Sequence, residues 1–288
     1  MKGKLALAAA FAAGLVGAKW ADFPRAVAQE AAAAPKAVAA TNVRERNLDA
    51  LLYVQTAAEY RACCLQTYRL AAEKLKARVA ALPPNHGKPP AVVLDLDETV
   101  LDNSAYQRML DRENLEHTRE RWAEFERDGG PEVRLVPGAR DFLLTADAVG
   151  IRIVFISNRT EKNGAAAREI LNRLLDGLLI DEFDLMLQTD SENKTLRRAE
   201  AARTYRVAMW IGDQLTDFDA VFAVDKALAP AENLAQRNLF LDERQGRLGE
   251  EWFVLPNPMY GEWIKPAGRD SENARKTLRP TALPRPRA

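Results

Sequence analysis

The chain has 288 residues, enough to bury one large core or two small ones. Apolar residues make up 47% and charged residues 28%, the ordinary balance of a soluble globular protein. Basic and acidic side chains both number 41, so there is no basic excess with which to grip a nucleic-acid polymer, although a local basic pocket for a small anion remains open.

The chain opens on "MKGKLALAAAFAAGLVGAKW", with Lys2 and Lys4 ahead of an apolar run over residues 5–18. That run is shorter than the roughly 20 residues a spanning helix needs, so residues 1–28 read as a secretory signal. VGA at 16–18 and AVA at 26–28 both suit cleavage, and a membrane is reached only if the segment stays uncleaved. No Cys lies near it, so no bacterial lipid-anchor site is expected. Residues 29–43 form a low-complexity linker. From 44 to 90, Leu48, Leu51, Leu52, Val54, Ala58, Leu65, Leu70, Leu75 and Val79 recur at threes and fours, which predicts a helical segment ended by "PPNHGKPP". Cys63 and Cys64 are adjacent there and read as two small helix residues, not as a disulfide framework.

From residue 91 to 265 the pattern changes to short apolar runs separated by helical stretches. The runs are "AVVLDLD" (91–97), "IRIVFISN" (151–158), "FDLMLQT" (183–189), "VAMWIGD" (207–213) and "NLFLD" (238–242). Alternation of this kind predicts an α/β fold, a Rossmann-like parallel sheet flanked by helices. In such sheets ligands bind beyond the carboxyl ends of the strands. Asp95 and Asp97, Ser157 and Asn158, and Asp213 all fall at that edge. Residues 103–136 interrupt the alternation and are expected to form a small cap. Residues 266–288, rich in Pro and Arg, read as a disordered tail.

The stretch "VVLDLDETVLDNSAY" (92–106) runs a buried strand into a knot of acid. Asp95 and Asp97 are two apart, so an extended backbone points both to one side. Two carboxylates about 4 Å apart repel by roughly 4 kcal/mol at an effective dielectric near 20, and Asp213 adds to this. A hard divalent cation would relieve the repulsion, and an all-oxygen ligand set fits magnesium best. His86 and His117 are the only histidines and are not spaced as a pair, which argues against zinc.

These residues carry a resemblance. "DLDET", "FISNR", Lys194 and "IGDQLTD" resemble, in order, the four motifs of the haloacid dehalogenase (HAD) superfamily. With "PNPMYGEW" and "LYVQTAAEYRA", the chain looks like the class C bacterial acid phosphatases (lipoprotein e(P4)-like) over roughly residues 45–265. It departs from them in lacking a Cys after the signal and in carrying Gln214 where Asn is usual. The resemblance implies an HAD-like fold and hydrolysis of phosphomonoesters, nucleoside 5′-monophosphates among them. Asp95 would be the nucleophile, Asp97 the acid and base, Ser157 and the backbone of Asn158 the phosphoryl contacts, and Lys194 the neutralising cation, with Lys162 its rival. Asp95, the carbonyl of Asp97 and Asp213 would hold Mg2+. Thr99 would orient the loop, and Asp217 would hold Lys194 or a metal-bound water. The second aspartate favours phosphate transfer over carbon–halogen cleavage, since a halide leaves without a proton.

Tyr106, Trp122, Phe125 and Tyr260 are candidate aromatic walls for the substrate, with core packing as the competing reading for each. Arg159 and Glu98 read as ion-pairing residues. A histidine phosphatase would need Arg-His-Gly, but Asn85 precedes His86. A phosphate- or nucleotide-binding relative without turnover is the alternative from another class, and a homodimer is compatible with the sequence.

Overall fold

The computed structural model describes residues 45–81, 83, 87–181 and 184–266. The expected signal and linker, and all of the expected tail beyond residue 266, lie outside them. Two helices come first, α1 (Glu45–Thr56) and α2 (Ala58–Ala80), separated by Ala57 in an extended conformation. The face α2 buries is Tyr60, Cys64, Tyr68, Ala71 and Leu75. The leucines that suggested the helix divide otherwise: Leu51 and Leu75 are buried, while Leu48, Leu52 and Leu70 are exposed.

Five parallel strands form the sheet: β1 (Pro90–Leu94), β4 (Arg152–Thr160), β5 (Leu185–Gln188), β6 (Arg206–Gly212) and β7 (Trp252–Val254). Their spatial order is β5-β4-β1-β6-β7, which places β1 at the centre. Alternate residues of β1 serve two cores, Val92 and Leu94 on one face and Ala91 and Val93 on the other. β4 does the same with Ile153 and Phe155 against Val154 and Ile156. The first face packs under α2 and α5 (Ala139–Ala148), the second under α7 (Thr195–Thr204), while α6 (Gly164–Leu174) follows β4. A strand apolar on both sides, the pattern seen in the sequence, is therefore covered on both sides.

One strand was misplaced by sequence reasoning. "NLFLD" lies inside α8 (Pro230–Arg244), not in the sheet. Pro230 at the first turn, and Glu232 accepting from the Ala229 N–H at 2.9 Å, start that helix. Phe240 and Leu241 pack towards Phe218, Phe222 and Trp252, whereas Leu239 is exposed, so the apolar run is a helix face. The fifth strand is β7, which pairs with β6 through Trp210 and Trp252.

The insertion leaves the sheet domain through a two-residue antiparallel ribbon, β2 (Leu101–Asp102) with β3 (Arg134–Leu135). Between these strands lie α3 (Ser104–Arg112) and α4 (Arg119–Asp128). Thr118 caps α4 by accepting from the Arg121 N–H at 3.2 Å. Tyr106, Trp122 and Phe125 form the aromatic heart of this cap, with ring centroids 5.1–5.7 Å apart. Among the described residues no helix is long and apolar enough to cross a membrane.

Candidate active site

Each strand of the central trio delivers acid or hydroxyl to one rim. β1 stops at Leu94, and the Asp95 N–H bonds the Ile211 carbonyl of β6 at 2.9 Å, which fixes the aspartate beside its neighbour strand. The chain then turns sharply: the N–H groups of Thr99, Val100 and Leu101 all point at the Leu96 carbonyl. Glu98 takes a left-handed φ of 60° to make that turn. From behind, Tyr68 of α2 donates to the Thr99 carbonyl at 2.6 Å, so the N-terminal helices buttress the loop.

Asp95, Asp213 and Asp217 converge, with ligating oxygens all within 4.8 Å of one another, and all three are buried. Lys194, at the start of α7, donates to Asp95 Oδ1 at 2.5 Å and to Asp217 Oδ1 at 2.8 Å. Thr99 Oγ1 lies 3.5 Å from Asp95 Oδ2 and 3.4 Å from Asp213 Oδ1. Asp213 is held by amides, accepting at Oδ2 from Gln214 Nε2 at 2.6 Å and from Asn257 Nδ2 at 2.8 Å. Burial and the neighbouring carboxylates push Asp95 well above the usual range despite Lys194. Burial, and then Asp217, push Asp213 up to about 6. Lys194 is raised, because its two carboxylates outweigh its own burial.

Asp97 sits in a second network. Its Oδ1 accepts from Arg159 Nε at 2.8 Å and Asn103 Nδ2 at 2.9 Å, and its Oδ2 from Ser157 Oγ at 3.3 Å. The Asp97 carboxylate therefore lies outside the three-carboxylate group; the role expected of Asp97 at a metal was its carbonyl. The Asn158 side chain accepts from Arg197 Nη2 at 2.7 Å, and Arg197 Nη1 also donates to the Ser157 carbonyl. The ammonium at the rim is that of Lys194, whereas Lys162 is exposed.

Asp95, Asp97, Asn158, Lys194, Asp213 and Asp217 line one cleft of about 1290 Å³, walled by Tyr106, His117 and Trp122 from the cap and by Tyr260 from the loop after β7. Ser157, expected to touch the phosphoryl group, is buried and does not line it. Tyr106 is otherwise buried and bonds His117 Nδ1 at 3.0 Å. Phe125 stays inside the cap, and Trp263 is exposed, donating to the Asn257 and Tyr260 carbonyls; neither lines the cleft. Sequence reasoning passed over Asn103, Arg197 and Asn257. Arg197 had a usable signal, since it lies three residues after Lys194, one helical turn away. Asn103 and Asn257 had none, because their partners are distant in the chain.

A five-stranded parallel sheet, flanked by helices and with paired aspartates leaving its central strand, is an HAD-like α/β protein. Residues 14–263 match the family described as HAD superfamily, subfamily IIIB (Acid phosphatase), and the chain belongs to that family. Among solved structures, the class C acid phosphatase from Bacillus anthracis is 29% identical, covers 83% of this chain and 99% of its own, and superposes with a TM-score of 0.71. The same enzyme with tungstate bound gives 29% identity, 83% and 98% coverage and a TM-score of 0.71. The protein is accordingly a phosphomonoesterase.

Proposed function

We propose that the protein is a secreted, metal-dependent acid phosphatase that hydrolyses phosphomonoesters, nucleoside 5′-monophosphates among them, through an aspartyl phosphate on Asp95. The observation that carries this is Asp95 itself: a buried carboxylate gripped by Lys194, at the floor of a cleft with aromatic walls. Binding of tungstate, a tetrahedral oxyanion, by the Bacillus anthracis enzyme supports a phosphoryl site of this kind. Secretion rests on the sequence of residues 1–28.

The donor set fits magnesium. It consists of oxygens, and burial and then Asp217 penalise their charge so strongly that Asp213 is raised to about 6 with no ion pair of its own. Asp95, Asp213 and the Asp97 carbonyl would hold the ion, which would supply the positive charge that lets a phosphate dianion approach carboxylates. Asp95 attacks phosphorus while Asp97 gives a proton to the departing alkoxide oxygen. Asp97 then takes a proton from the water that hydrolyses the acyl phosphate. Lys194 donates towards phosphoryl oxygens as charge spreads over them, while the Ser157 hydroxyl, which the resemblance would also place there, donates to Asp97 Oδ2.

Asp95→Asn keeps the shape of the site and removes the nucleophile. Turnover of an aryl phosphate should disappear with circular dichroism unchanged, and undiminished hydrolysis would dismiss Asp95. Chelation should silence the parent enzyme and magnesium restore it. A panel of 5′-nucleotides, sugar phosphates and aryl phosphates tests the nucleotide assignment.

A further inference from the structure

Arg159 is 1% exposed, and every polar contact it makes bears on Asp97 or on the residues that hold it. Nε donates to Asp97 Oδ1, Nη2 to Asn103 Oδ1 at 2.9 Å, and its backbone N–H to Ser157 Oγ at 3.1 Å. Asn103 and Ser157 in turn donate to the two Asp97 oxygens. The guanidinium carbon lies 5.6 Å from the centroid of the Trp122 ring, in the cap wall of the cleft. Its Nη1 is buried without an acceptor among the described residues, which costs stability and so argues that the placement serves more than packing.

From this geometry we infer that Arg159 is a positioning residue that fixes Asp97 for proton delivery and ties that aspartate to the cap. The inference rests on the reading of Asp97 as the acid. Two strong donors occupy Oδ1, one of them charged, whereas Oδ2 accepts only the longer Ser157 hydroxyl bond at 3.3 Å and keeps a lone pair, so Oδ2 is the oxygen that carries the proton. As the bond from Asp95 to phosphorus forms and the bond to the leaving oxygen breaks, the proton passes from Oδ2 to that oxygen. A planar fork that spans Asp97 and Asn103 has no lysine equivalent. A single rotamer of Asp97 is thus selected by Arg159, Asn103 and Ser157 together.

The test is the dependence of rate on leaving group, since a good leaving group departs without a proton. Steady-state kcat and KM are measured for the holoenzyme, Asp97→Asn, Arg159→Ala and Arg159→Lys on 4-nitrophenyl, phenyl and alkyl phosphates. Arg159→Ala should lower kcat about 100-fold on phenyl and alkyl phosphates and less than about 10-fold on 4-nitrophenyl phosphate, with little change in KM. Arg159→Lys should remain impaired, and millimolar guanidinium should partly rescue Arg159→Ala on the poor leaving groups. Should Arg159→Ala fail to fold, Asn103→Ala removes the other donor to Oδ1 and must show the same skew. An equal loss on all substrates beside a skewed loss in Asp97→Asn overturns the inference alone. An equal loss in Asp97→Asn removes the acid role, and the inference with it.

Discussion

Gln214 is the position where the fourth motif departs from its usual asparagine, and its longer side chain has a definite use. Nε2 reaches Asp213 Oδ2 at 2.6 Å and the Tyr260 carbonyl at 3.3 Å, while Oε1 accepts from the Glu262 N–H at 2.9 Å. The amide is thus a latch between an acidic ligand candidate and the loop that carries one cleft wall. Gly261 makes room for it. A Cβ there would lie 2.6 Å from the Gln214 amide carbon, with the amide oxygen and nitrogen nearer still, and φ is +145°. Gly261→Ala should therefore cost twice: about 2 kcal/mol of backbone strain, and about 2 kcal/mol as the displaced amide loses its three bonds. Gln214→Ala should cost the second amount alone, about 2 kcal/mol. The double substitution should cost about 4 kcal/mol rather than the additive 6 or so, a coupling of about 2 kcal/mol. Urea unfolding of the four proteins measures this directly. Additivity to within about 0.5 kcal/mol would refute the steric argument.

Lys194→Met leaves Asp95 and Asp217 buried without their ammonium. Loss of one partner of such a group costs about 3–5 kcal/mol, so the melting temperature of chelator-treated protein should fall by about 6–20 °C, and turnover with it. A melting temperature unchanged from the parent would show that the cation contributes nothing to holding the rim together. Cys64, on the buried face of α2, gives a pH prediction. Burial pushes its thiol from 9.0 up to about 11. The unfolded thiol ionises first, so the thiol's contribution to stability is complete below pH 9, falls as pH rises beyond it, and is gone above about 11. Stability followed from pH 8 to pH 11 should decline less steeply in Cys64→Ala than in the parent; parallel curves would show that the thiol does not titrate in this window.

The sheet was legible because its three central strands are apolar on both faces and end in polar residues, a pattern that survives without tertiary information. Val92 to Leu94 could serve only two cores, and Asp95 could then fall only at the carboxyl rim. β7 was hidden because it is three residues long, while "NLFLD" offered a better apolar run. A run of that length satisfies strand and helix alike, and only the packing of Phe240 and Leu241 near Trp252 decides between them. In α2 the leucine count was misleading for a related reason: the buried stripe uses Tyr60, Cys64 and Tyr68, whose hydroxyl-bearing and small side chains carry little hydropathy signal. At the site, the acidic residues announced themselves by position. Their partners did not, since Asn103 meets Arg159 across 56 residues and Asn257 meets Asp213 across 44.

That difference changes the electrostatic argument with which the acidic knot began. Repulsion between Asp95 and Asp97 seemed to demand a dication between them, yet each aspartate has its own cation, Lys194 for one and Arg159 for the other. Side chains of one sign are thereby separated into two networks that share a cleft and no direct side-chain hydrogen bond between the two aspartates. Asp213 and Asp217 remain, with Asp217 sharing Lys194 and Asp213 given only neutral donors, two amides and the Thr99 hydroxyl. Arg159 answers Asp97 and Lys194 answers Asp95 and Asp217, so the carboxylate without an ion pair is Asp213, and the deficit is centred there rather than between the first two aspartates. A metal ion that answers this charge would be held by Asp213 and Asp95 rather than by the Asp97 carboxylate. Asp97 would then keep its carboxylate for the leaving group, and only Asp95 would be shared between ion and phosphorus.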